Sequence, residues 1–188
     1  SKAPAAAVVT PKNTTMPATG TNFGPEAGNS RLTIGNLTIT LTGDGLGTYD
    51  AATNTLVLNR TTTRSNLTIT NNGGNITINI IGSEDSQLSS ITTRGAVTIG
   101  DVSIYGSVMR ITATAVANGS ALEILGGVTF AMFGNLTNVN ITTGQVGTWM
   151  MSSFVGGSLT ADSIRMFSAV GDVTSNIADG TEHPYGIS

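Results

Sequence analysis

The sequence predicts an all-β protein: a right-handed parallel β-solenoid with coils of about 20 residues, preceded by an extended N-terminal arm. Three observations lead there. Short segments alternate apolar and hydroxyl residues from Arg31 onward, the second half of the chain repeats itself at an offset of 20 residues, and glycines punctuate the segments.

The arm comes first. Pro4, Pro11, Pro17 and Pro25 all fall within residues 1–30, and only Pro184 lies elsewhere. Proline fixes φ and removes a ladder donor, so this stretch cannot be a central strand throughout. One piece of it, Ala5, Ala6, Ala7, Val8, Val9 and Thr10, reads as a short strand able to link one subunit to the next by pairing with a neighbour's edge. The organisation expected is therefore an arm over 1–30, a solenoid over 31–175 and a polar tail over 176–188.

Strand periodicity opens with Leu32-Thr33-Ile34, Leu37-Thr38-Ile39-Thr40-Leu41-Thr42 and Leu67-Thr68-Ile69-Thr70. The stretch Thr48 to Leu58 reads as two strands joined by a tight turn, with Asp50 and Asn54 as turn residues. Asn71-Asn72-Gly73-Gly74 punctuates before Ile76-Thr77-Ile78-Asn79-Ile80-Ile81. No capped stripe of 3.6-residue period is present, so no helix is expected.

The repeat is the strongest signal. At an offset of 20, Ile91 meets Ile111, Thr92 meets Thr112, Val102 meets Leu122, Ile104 meets Ile124, Gly106 meets Gly126 and Val108 meets Val128. Later segments keep the rhythm while the offset drifts. A β-sandwich would explain the glycines as loop punctuation, but it would not explain this register. Coils stacked about 4.8 Å apart would make a rod of roughly seven or eight turns, on the order of 35 Å long. Glycines at 95, 100, 106, 126, 127, 134, 144, 156, 157 and 171 would turn its corners.

The stretch from Leu88 to Val108, with Gly100-Asp101-Val102, and the later Gly157-Ser158-Leu159 resemble the Gly-Asp-Val and Gly-Ser-Leu repeats of β-solenoid regions in secreted bacterial cell-surface proteins. The resemblance covers about residues 32–175. It implies the fold, an outside-the-cell setting, and a role as adhesin, surface-layer part or fibre. The short chain and its Pro-rich arm depart from that pattern and favour a small subunit that assembles.

Composition narrows the function classes. Of 188 residues only 10% are charged, against roughly 25% in ordinary soluble domains. The formal net charge is -3 and both lysines, Lys2 and Lys12, sit near the start, so no basic stripe for a phosphate backbone is legible. Cysteine is absent, which removes disulfides and thiolate metal sites. No apolar run is long enough to span a membrane as a helix and no charged leader opens the chain, which reads as a processed secreted product. N-x-S/T sequons occur at Asn13, Asn36, Asn59, Asn66, Asn75, Asn118, Asn135 and Asn140, as a chain so rich in Asn and Thr produces by chance.

Candidate chemistry is sparse. The sole histidine, His183, lies in the polar tail, where no triad is legible. Asp101 and Glu123 are 22 residues apart, a spacing that suits adjacent coils, with Arg110 between them in sequence, as a polysaccharide-active solenoid would need; the remaining acids, including Asp85, Asp162, Asp172 and Asp179, are scattered. Thr42-Gly43-Asp44-Gly45 and Ser83-Glu84-Asp85-Ser86 offer too few oxygens for a calcium loop and read as turns. Thr38-x-Thr40-x-Thr42, Thr68-x-Thr70 and Thr112-x-Thr114 raise ice binding, but their spacing looks out of step for one continuous row. Phe130, Met132, Phe133, Trp149, Met150, Met151, Phe154, Met166 and Phe167 concentrate in the C-terminal third, as core or as contact patch.

The expectation is thus a structural, non-enzymatic subunit of an extracellular fibre, sheath or surface layer. It would use no catalytic residue, metal or cofactor and would polymerise with copies of itself through the solenoid ends and the arm. The alternative is a carbohydrate-binding or adhesive surface module taking cell-surface glycans. Neither nucleic acid nor a membrane-spanning segment enters either reading.

Overall fold

The computed structural model describes residues 19–180, and the fold is the expected parallel β-solenoid, about five coils of roughly 19 residues. The arm's strand candidate, Ala5 to Thr10, lies outside the described residues, as does His183.

The chain enters through a cap whose pairing is mostly antiparallel. Strand β1 (Thr21–Phe23) is followed by a 3-10 turn at Pro25–Ala27, then by the hairpin of β2 (Arg31–Ile34) and β3 (Leu37–Thr42), closed at Gly35-Asn36. Strands β4 (Leu46–Asp50) and β5 (Thr55–Asn59) form a second hairpin, with Thr48 opposite Val57. Its turn is held by the two residues read from sequence. Asp50 accepts hydrogen bonds from the Ala52 amide at 2.9 Å and the Thr53 hydroxyl at 3.0 Å, and Asn54 takes a positive φ of 50°. Residues 21–30, expected within the extended arm, instead pack on this hairpin, since β1 pairs with β4.

The coils follow. They are built from β6 (Asn66–Gly82), β7 (Leu88–Ile104), β8 (Val108–Ala113), β9 (Ala115–Val116), β10 (Ala121–Ile124), β11 (Val128–Thr137), β12 (Asn140–Val155), β13 (Ser158–Ala169) and β14 (Asn176–Asp179). All pairings among these nine are parallel. Each coil contributes to three ladders. A broad ladder joins β2, β3 and the early part of β6 to β7, β8, β11, β12 and β13. A short ladder includes the pairing of Ile76 to Ile78 with Val97 to Ile99, and of Thr98 and Ile99 with β9. A third joins β1, β4, β5 and the end of β6 to β7, β10, β12, β13 and β14.

The 20-residue pairs are neighbours: Ile91 with Ile111, Val108 with Val128, Val102 with Leu122 and Ile104 with Ile124. The rod is shorter than the seven or eight coils expected, because residues before Thr55 form the cap rather than further turns. Asn176–Asp179, assigned to a tail, stack on Ser158–Ala161 as one more rung.

Inward residues stack in columns. One runs Leu41, Leu67, Ile91, Ile111, Ala131, Trp149, Phe167, each beside the next on the broad ladder. Ala131 makes room for Trp149, whose ring lies 5.2 Å from that of Phe133, which in turn stacks on the small Ala113. Alternating large and small rungs keeps the interior at native packing density within a fixed strand spacing. The corner glycines answer the same constraint. Gly95 has φ +67°, whereas at Gly126 a Cβ would run into the backbone of Gly106 one coil earlier.

Two substitutions test the core. Ile104 is 1% exposed and stacks on Ile124. Ile104→Asp should leave no folded protein by circular dichroism, and Ile104→Ala should cost about 2–5 kcal/mol in denaturant titration. Thr93 holds an inward position beside Ile69, with its hydroxyl buried and unpartnered. Thr93→Val keeps the shape and removes the desolvated hydroxyl, so it should stabilise the fold by about 1 kcal/mol.

Candidate functional site

The outward side of the broad ladder is the most differentiated surface among the described residues. Its first half is hydroxyl-rich. Thr40, Thr68, Thr92 and Thr112 stand side by side across β3, β6, β7 and β8, with Thr38 beside Thr70 and Thr42 beside Asn66. The sequence spacing suggested no such row. It forms because β3 runs antiparallel and because the interval from Thr68 to Thr92 is longer than the interval from Thr92 to Thr112. The row stops at β11, where Met132 takes the place after Thr112.

The second half is apolar and cationic. Met109, Met132, Met150 and Met166 are 47%, 42%, 38% and 56% exposed, while Met151 is buried in the core. Met132 lies directly beside Met150, and Thr148 beside Met166. Arg110 sits between Ser90 and Phe130, its guanidinium 4.6 Å from the Phe130 ring centre, a cation–π contact that fixes both side chains. These residues, with Asn66, Thr92, Met109 and Thr129, line an open groove of about 450 Å³. Structure thus divides the bulky cluster that sequence could not: Phe133, Trp149, Met151 and Phe154 are core, while Phe130, Met132, Met150 and Met166 face outward and Phe167 is half-buried.

Charge is partitioned along the rod. Two arginines are used in the cap: Arg60 pairs with Glu26, and Arg64 donates to both oxygens of Asp44 at 3.0 Å. The four remaining arginines of the described residues, Arg31, Arg94, Arg110 and Arg165, all belong to the broad-ladder strands β2, β7, β8 and β13. Arg31 lies opposite Thr40, and Arg94 lies beside Thr70. Among the described residues no carboxylate stands on the outward broad face. Those of the coils lie elsewhere: Glu84 and Asp85 in the turn before β7, Asp101 and Glu123 on the third ladder, Asp162 at its trailing corner, Asp172 past β13 and Asp179 in β14.

The paired carboxylates weighed from sequence do stand on adjacent coils of the third ladder, offset from each other by two residues. Asp101 accepts a hydrogen bond from the Ala121 amide at 2.9 Å, tying its coil to the next, and Glu123 stands between Ser103 and Thr142. Arg110 is on another ladder. The two turn motifs do serve as turns. Ser83 and Ser86 bond each other at 3.0 Å, and the Ser86 hydroxyl reaches the Leu58 carbonyl. Among the described residues no three His, Cys, Asp or Glu side chains group as metal ligands, and no helix is long and apolar enough to cross a membrane.

No family model matches the chain, and neither a curated protein nor a solved structure matches it. The resemblance to solenoid regions of cell-surface proteins therefore holds at the level of the fold alone.

The cap carries the clearest electrostatic signature. Hydrogen bonds from the Thr62 hydroxyl at 2.6 Å and from Arg64 hold the Asp44 carboxyl below the usual carboxylate range, and the Arg60 hydrogen bond does the same for Glu26. A depressed folded-state pKa contributes stability above the unfolded pKa, and that contribution is lost as pH falls through the folded value. Asp44→Asn should therefore lower the thermal midpoint at neutral pH. Its deficit should shrink as pH drops below the ordinary carboxylate range, read by melting curves across an acid series.

Proposed function

We infer that the chain is a non-enzymatic structural subunit of an extracellular fibre, sheath or surface layer, which reaches its working form by assembling with copies of itself. The observation that supports this most directly is the use made of outward polar side chains. Asn66 accepts from Ser90, Asn75 from Thr98, Asn135 from Ser153 and Asn140 from Ser158, while Asn138 donates to Asn118. Each bond runs from one coil to the next. These outward polar groups are thus paired along the rod axis, which stiffens a spacer. The setting outside the cell rests on the Gly-Asp-Val and Gly-Ser-Leu resemblance, and on a surface kept soluble by hydroxyls and amides rather than charge.

The alternative reading, a carbohydrate-binding or adhesive surface module, draws support from the groove around Arg110 and Phe130. A stacked aromatic beside hydroxyls and a cation suits a sugar chain. Electron microscopy and sedimentation of the purified full chain separate the two. A structural subunit should form filaments or sheets as concentration rises. A chain that stays monomeric, and binds a glycan through the Arg110 groove, would replace the first reading with the second.

A further inference from the structure

We propose that the broad face, carrying Arg94, Arg110, Arg165 and the exposed methionines, docks on the acidic third ladder of a second copy of this chain, giving a lateral contact between two different flanks. The inference rests on the self-assembly reading and specifies its interface.

Three observations converge. The first is composition. The centre of a protein–protein interface is enriched in Met, aromatic residues and Arg and depleted in Lys, Glu and Asp, and this face shows that bias. It carries Phe130, four methionines exposed by 38–56%, the arginines, and no carboxylate. The second is order. Arg110 is held over Phe130, which lowers the ordering cost of docking there, and Met132 and Met150 stand on neighbouring rungs, so the apolar side chains are presented together. The third is complementarity. Among the described residues the coils' carboxylates lie off that face; Glu123 and Asp101 occupy the third ladder and Asp162 its corner, and no arginine falls within the third-ladder segments. Two copies brought broad face to broad face would oppose arginine to arginine. Broad face to third ladder opposes unlike charges. A contact between two different surfaces of the same chain is heterologous and leaves each copy with one unused surface of each kind, so it propagates.

The experiment uses the full-length chain and two charge-reversed variants, each checked for a wild-type circular dichroism spectrum and melting temperature. Variant one is Arg94→Glu with Arg110→Glu; variant two is Glu123→Arg with Asp162→Arg. Each alone should need at least about tenfold more protein to assemble in sedimentation and light scattering, since like charges then meet across the contact. Mixed in equal amounts they should assemble again, because the acidic broad face of one now meets the basic third ladder of the other. A structural defect would not be rescued by mixing. Met132→Ser with Met150→Ser leaves charge untouched and should weaken assembly without restoring on mixing.

The outcomes are separable. If the wild-type chain never associates, the self-assembly reading and this contact fall together. If it associates and the charge-reversed variants associate equally well, this contact is wrong and the self-assembly reading stands. If the chain stays monomeric and binds a polyuronate through Arg94 and Arg110, the face is a glycan site.

Discussion

Everything in this fold depends on main-chain stacking at one strand spacing. Once a coil is hydrogen-bonded to the next, the distance between equivalent residues is set by the backbone, and side chains must adapt to it. Inside, that forces the volumes of neighbouring rungs to compensate, as Ala131 does for Trp149 and Ala113 for Phe133. At corners it leaves no space for a Cβ, which is why Gly126 stacks on Gly106. Outside, it brings hydroxyl donors and amide oxygens of successive coils close enough to bond, producing the Asn–Ser and Asn–Thr rungs. One geometric constraint thus accounts for core, corner and surface composition together.

The same constraint allows the coil length to vary, because only the paired segments must match. Leu67 pairs with Ile91, 24 residues on; Ile91 with Ile111, 20 on; Ala131 with Trp149, 18 on; and Trp149 with Phe167, again 18 on. The surplus in the early coils is held in corner segments, such as Ser83 to Gln87, whose serine hydroxyls bond within the turn and back to Leu58. Shortening the corners does not disturb the ladders.

That variation explains which features were legible in sequence. The interval of 20 holds only between the coils containing Ile91, Ile111 and Ala131, so self-comparison found the repeat there and lost it on either side. The Asp50 and Asn54 turn was legible because turn chemistry is local. The threonine row was not, since Thr40 joins it through an antiparallel strand and Thr92 through a longer coil. Nor was the broad face. Arg94, Arg110 and Arg165 are irregularly spaced in sequence and become one surface only when successive coils superpose. The sorting of Phe130 from Phe133 hinged on the step between buried Val128 and buried Ala131, where two outward residues, Thr129 and Phe130, intervene and strict alternation fails.

The described limits of the rod bear on where copies could meet. An exposed strand edge invites pairing, and proteins blunt such edges with short strands, charges and inward carboxylates. The entry edge here has those features: β1 has 3 residues and β2 has 4, Arg31 stands on β2, and the Glu26–Arg60 pair lies beside the turn that joins them. At the other limit, the inward column Ile104, Ile124, Thr143, Ala161 passes to Asp179, whose carboxylate occupies a position filled by apolar or hydroxyl side chains in earlier coils. The sides, by contrast, carry neither prolines nor mixed-sign charge to discourage contact. Stiff coils with one cationic, methionine-rich side and one acidic side thus present unlike surfaces along the flanks of the rod, suited to meeting each other.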